Sequence, residues 1–73
     1  MAKDIKYNIE EHIATISKNN GGWALEINKV SWGDNKPAKI DVRAWNEDHT
    51  RMGKGLRLSA EEYQKLQEYF RSL

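Results

Sequence analysis

The sequence predicts an α+β fold in which a four-stranded antiparallel curved sheet is followed by one C-terminal helix, in the order β-β-β-β-α, assembled as a dimer. Three observations predict it. Residues 38 to 46 alternate strictly, with Ile40, Val42 and Ala44 on one side and Asp41, Arg43 and Trp45 on the other. Asn19-Asn20-Gly21-Gly22 is a run of residues that tolerate the positive φ of a tight hairpin turn. Ser59 and Glu62 have the spacing of a capping box and stand before an amphipathic stretch that runs to the end of the chain.

Taken in order, residues 5 to 18 contain Ile5, Tyr7, Ile9, Ile13, Thr15 and Ile16, a β-rich run whose apolar parity slips near Glu10, Glu11 and His12. One long strand with a bulge there accounts for the slip. After the Asn-Gly turn, Trp23 to Trp32 forms a second strand with Leu25 and Ile27 on the core side and Glu26 and Asn28 opposite. Gly33-Asp34-Asn35-Lys36-Pro37 closes it, because Pro37 cannot donate to a ladder. Residues 38 to 46 make the third strand, 46 to 53 a loop and 54 to 58 a short fourth strand, in which Leu56 and Leu58 continue the apolar side and Arg57 the polar one. In the helix, Glu61 and Glu62 sit at the positive end and Glu61 precedes Lys65 by four residues. Tyr63, Leu66, Phe70 and Leu73 form one stripe, widened by Ala60 and Tyr69.

The 73 residues form a single domain spanning 1 to 73, too short to bury much apolar surface on its own. No cysteine is present to add a disulfide or a thiolate metal site, so oligomerisation is the remaining remedy. Tyr63, Leu66, Tyr69 and Phe70 are the expected interface. No apolar run reaches the length of a membrane span, and Met-Ala-Lys-Asp lacks the apolar region of a signal peptide, so the chain reads as cytoplasmic.

The net charge of +1 is unevenly spread. Residues 29 to 57 carry seven basic and four acidic groups, a local excess of +3, whereas the first 28 and the last 16 residues are each −1. One helix covers one face of a sheet, so the second face needs its own explanation. An ordinary solvated face does not require a Trp beside an Arg, whereas a surface that stacks bases and holds phosphates requires both.

Residues 39 to 45, read Lys-Ile-Asp-Val-Arg-Ala-Trp, then Met52-Gly53-Lys54-Gly55, then Leu-Arg-Leu-Ser and the helix, resemble the single-stranded-DNA-binding domain of the Positive Cofactor Four family of transcriptional coactivators, and in particular its bacterial YdbC-type branch. The resemblance covers residues 23 to 70. It implies a curved sheet offering a channel to single-stranded DNA, C-terminal helices that build a two-fold dimer, and a cytoplasmic, nucleoid-associated protein with the transcription machinery as an open further partner. Carried onto this chain, it places Arg43 on the family's strand arginine, Trp45 on a neighbouring aromatic position, Lys54 on the basic residue before the last strand, Trp32 on the aromatic ending the second strand, and Lys36 or Lys39 on the basic turn residue. Trp23, Lys29 and Arg57 complete the expected nucleic-acid-binding set. Asn46 departs from the family, which has a tryptophan there.

Other chemistry finds little support. His12 and His49 lie in different segments without a cysteine, Ser59 is a cap, and Ser17 and Ser31 lack a base partner, so no metal, cofactor or catalytic residue is expected. Met52-Gly53-Lys54-Gly55 lacks the spacing of a phosphate loop. Two alternatives stay open beside DNA binding: a protein-interaction module using the exposed aromatics, and an RNA-binding or RNA-chaperone protein, since no residue reads a 2′-hydroxyl.

Overall fold

The computed structural model describes residues 6–33 and 36–73. Its elements are β1 (Tyr7–Lys18), β2 (Ala24–Trp32), β3 (Lys39–Trp45), β4 (Met52–Leu58) and α1 (Ala60–Arg71), and the four strands form one antiparallel meander in chain order. The predicted start of the first strand at Ile5, and Asp34 and Asn35 of the turn before Pro37, lie outside the described residues. β4 begins at Met52 rather than at 54, because Met52 pairs with Trp45 across the ladder. The glycines that suggest a loop are thus strand residues.

Turn chemistry fixes the hairpins. The Asn19 side chain accepts hydrogen bonds from the backbone N–H of Gly21 (2.9 Å) and Trp23 (3.0 Å), while Gly22 takes φ of 85°. β1 has three register shifts where the sequence suggests one slip, between Ile9 and Glu11, His12 and Ala14, and Thr15 and Ser17. Each extra residue bends the strand and adds twist. It also explains the broken apolar parity: Ile13 and Ile16 are the residues skipped at two of the shifts, and both are exposed.

The parity reading of β3 matches the register. Arg43 stands opposite Glu26 and Gly55, Asp41 opposite Asn28 and Arg57, and Trp45 opposite Ala24, all on one face; Ile40, Val42 and Ala44 share the other with Leu25, Ile27, Leu56 and Leu58. Depth follows a different rule. Trp45, Val30, Asn28 and Asp41 are fully buried on the polar face, whereas Leu25, Ile27, Val42 and Ala44 are only half-buried and Leu56 is 63% exposed. Large side chains fold over the polar face and close it, while the apolar face stays partly open.

α1 touches β3 and β4 alone and buries none of its own residues. Its start is built as expected: Ser59 Oγ accepts from the Glu62 N–H (3.1 Å) and the Glu62 carboxylate accepts from the Ser59 N–H (2.9 Å). Leu66, Tyr69, Phe70 and Leu73 remain exposed. Helix stripe and open sheet face together leave apolar surface that a lone 73-residue chain covers poorly. Among the described residues no helix is long and apolar enough to cross a membrane.

Candidate nucleic-acid interface

At one end of the polar face, Trp32 is flanked by two arginines. The guanidinium carbon of Arg57 lies 4.1 Å and that of Arg43 4.8 Å from the indole centroid, with the Tyr7 ring at 5.9 Å. A recess of about 310 Å³ opens beside it, lined by Trp32, Lys36, Pro37, Lys39 and Arg57. Three of the seven basic residues of 29 to 57, Lys36, Lys39 and Arg57, thus line one recess beside an aromatic ring. Lys36, Lys39 and Arg57 are exposed cations, available to phosphate, and the Trp32 indole N–H is buried without a partner among the described residues. Trp32 is itself only 9% exposed, with Arg57 lying over its ring.

Arg43 is differently placed. It is 8% exposed, its Nε donates to Asp41 Oδ1 at 2.7 Å, and its Nη1 donates to the Gly53 carbonyl at 3.3 Å. The charge is spent within the fold. Gly55 opposite is required by this packing, since a Cβ there would lie 2.4 Å from Arg43 Cβ and 2.4 Å from the Val42 carbonyl oxygen. Trp45 is wholly buried, with Tyr7 at 5.2 Å and His49 at 5.5 Å between ring centroids. It lies on the face the sequence assigns but has no surface open to a base.

The remaining expected residues are dispersed. Lys29 shares the parity of Leu25 and Ile27, so it stands on the apolar side, away from Trp32. Lys54 is exposed in the irregular stretch where β4 carries one residue more than β3 between the Arg43 and Trp45 pairings. Trp23 is half-buried and borders a second pocket of about 440 Å³ between the β1–β2 turn and the β3–β4 loop.

The family described as Transcriptional Coactivator p15 (PC4) matches residues 19–69. The chain belongs to the PC4 family. An uncharacterized protein of Treponema pallidum (strain Nichols) is 36% identical over 70 residues, spanning 96% of this chain and 81% of that protein. This PC4-family chain gives its departure at Asn46 a structural task. The Asn46 side chain accepts from the Arg51 N–H (2.8 Å) and donates to Thr50 Oγ1 (3.0 Å), so it closes the β3–β4 loop in place of presenting an aromatic ring.

Sequence reasoning passed over a polar group on the same face. The Glu26 carboxylate, 7% exposed, accepts from Asn28 Nδ2 (3.0 Å) and from His49 Nε2 (2.9 and 3.1 Å to its two oxygens), and His12 Nδ1 donates to Asn28 Oδ1 at 2.7 Å. Since a carboxylate only accepts, His49 carries its proton on Nε2. Burial pushes the Glu26 carboxyl up, but the bonds from Asn28 and His49 and the nearby histidines outweigh it and hold the group below its ordinary value. The Tyr7 hydroxyl bonds the carbonyl of His49, which sits at φ of 60°. The available signal was the parity of Glu26 and Asn28, opposite to Leu25 and Ile27 and directly across from Arg43 and Asp41.

Proposed function

We propose that this PC4-family protein binds single-stranded DNA with little sequence preference, as a homodimer, in support of transcription or DNA maintenance. The observation that carries the reading is the convergence of Trp32 with Lys36, Lys39 and Arg57 around one recess. A stacking ring beside cations supplies ~1–3 kcal/mol per base from stacking, together with counterion release from the phosphates. Single strands are favoured because a duplex hides its base faces. No enzymatic step is assigned, as the ionisable groups of the polar face are tied to one another rather than arranged as nucleophile and base.

Binding should quench tryptophan fluorescence on titration with a short oligo-dT. With roughly four to six phosphates neutralised, log K should fall against log salt with a slope of about −3 to −4. Lys39→Ala should flatten that slope by about one unit. A response independent of salt, or equal binding to blunt duplex, removes the stacking-and-phosphate mechanism, and a matched oligo-U ribonucleotide in the same titration decides between DNA and RNA.

Dimerisation is supported by the exposed Leu66, Tyr69 and Phe70 on α1, next to a sheet face that is only half covered. Light scattering at micromolar concentration should give twice the 8.5 kDa of one chain. Leu66→Asp should shift the mass to the monomer or unfold the protein. A wild-type mass equal to one chain rules the dimer out.

A further inference from the structure

Three cations line the recess beside Trp32, more than one backbone phosphate requires. Trp32 is 9% exposed, so the recess presents to a ligand chiefly Lys36, Lys39 and Arg57, with Pro37 as an apolar wall. Among the described residues none of these three cations takes part in a hydrogen bond or an ion pair. Two carboxylates that could compete for them are committed elsewhere. Asp41, across the ladder from Arg57, is fully buried and accepts from Arg43 Nε at 2.7 Å. Glu62 accepts from the Ser59 N–H at 2.9 Å, and its carboxyl is held below the ordinary value first by its bonds with Ser59 and least by the charge of Lys39. Arg57 is also held in place. Its guanidinium carbon lies 4.1 Å from the Trp32 centroid, a contact that positions the group and leaves its N–H donors to a ligand.

We infer that the recess seats a phosphomonoester, the terminal phosphate of a single strand, with Arg57 as the fork that grips two of its oxygens and Lys36 and Lys39 as point charges beside them. The inference rests on the single-strand reading above and adds to it a preferred strand end. A phosphodiester inside a strand carries one negative charge and two free oxygens. A phosphomonoester at an end carries about −1.5 to −2 near neutral pH and has three, a closer match to three uncommitted cations. A volume of about 310 Å³ is at the small end of ligand sites and suits one phosphate with its sugar rather than a run of nucleotides. Arginine is the side chain that holds two oxygens of one phosphate by parallel bonds, whereas a lysine in its place supplies charge without the fork.

Labelled dT oligomers of equal length with a 5′-phosphate, a 3′-phosphate or two hydroxyl ends separate the seat from general attraction, and a hydroxyl-ended oligomer two nucleotides longer controls for added charge. One of the two phosphorylated oligomers should bind about tenfold more tightly than the hydroxyl-ended one, the worth of one charge-assisted hydrogen bond, and the longer control should gain far less. Arg57→Lys should abolish that ratio, whatever its effect on the two affinities separately. Arg57 is exposed, so the variant should fold by circular dichroism; if it does not, Lys36→Ala, at another exposed position, takes its place. If hydroxyl-ended dT binds and neither phosphate adds more than the longer control does, or if the ratio survives the substitution, the end seat is wrong while the single-strand reading stands. If no oligomer binds, the single-strand reading falls, and the Arg57 Nε–H resonance decides the seat with thymidine 5′-monophosphate against thymidine. A shift with the monophosphate alone sustains the phosphomonoester seat with a free nucleotide as its source; no shift, or equal shifts with both, overturns it.

Discussion

Arg43→Ala should destabilise the fold by about 3–5 kcal/mol, an effect on stability rather than chiefly on the salt dependence of binding. Truncation leaves Asp41, fully buried, without the 2.7 Å bond to Arg43 Nε that neutralises it, and Asp41 Oδ2 already lacks a partner among the described residues. The same change removes the donor to the Gly53 carbonyl that ties β4 to β3 and withdraws one of the two cations over Trp32. In a chain of 73 residues, where total stability is a few kcal/mol, a loss of that size unfolds much of the population at room temperature. Urea denaturation checks it. A double-mutant cycle isolates the pair: Asp41→Asn with Arg43→Ala should lose clearly less than the sum of the single changes, because the second substitution removes the charge the first one orphans. If Arg43→Ala unfolds at the wild-type midpoint and instead flattens the salt slope, Arg43 reaches phosphate and the buried pair is not its role.

The fold was legible wherever a single local rule acts alone. Period two in residues 39 to 45 gave the faces of β3, and Ser59 with Glu62 gave the start of α1 within a residue. Legibility failed where a partner decides. Met52 and Gly53 belong to β4 because Trp45 and Ala44 lie across from them, and nothing local to Gly53 announces a strand. In β1 the three register shifts are set by pairing with a shorter stretch of β2, so one slip was visible in the pattern and the other two were not. Of the residues singled out by charge, parity and the family resemblance, Trp32, Lys36, Lys39 and Arg57 line one recess. Parity alone would have set Lys29 apart, since it shares the face of Leu25 and Ile27. What alternation cannot supply is depth: it states which way Arg43 and Trp45 point and not that Tyr7, His49 and Arg57 fold over that face and seal it.

Depth decides the fate of Trp45→Ala. From sequence the substitution should cost a base its platform, ~1–3 kcal/mol of affinity with the fold intact. With Trp45 at 0% exposure, the expected loss moves to folding, about 3–5 kcal/mol for removal of a buried tryptophan and the void it leaves. The void would not collapse easily, because the Tyr7 and His49 rings that close on the indole are held by their own bond, from the Tyr7 hydroxyl to the His49 carbonyl, and His49 is further fixed to Glu26. Trp45→Phe should recover a large part of the stability by refilling the volume with an aromatic ring, and its affinity for oligo-dT should match wild type once both are measured below their unfolding midpoints. Thermal unfolding followed by circular dichroism separates the two effects from binding. Should Trp45→Ala melt with wild type and lose affinity for oligo-dT, the ring is reached by bases in solution, which requires the lid of Tyr7 and His49 to open, and the β3–β4 loop then becomes a moving part of the binding surface.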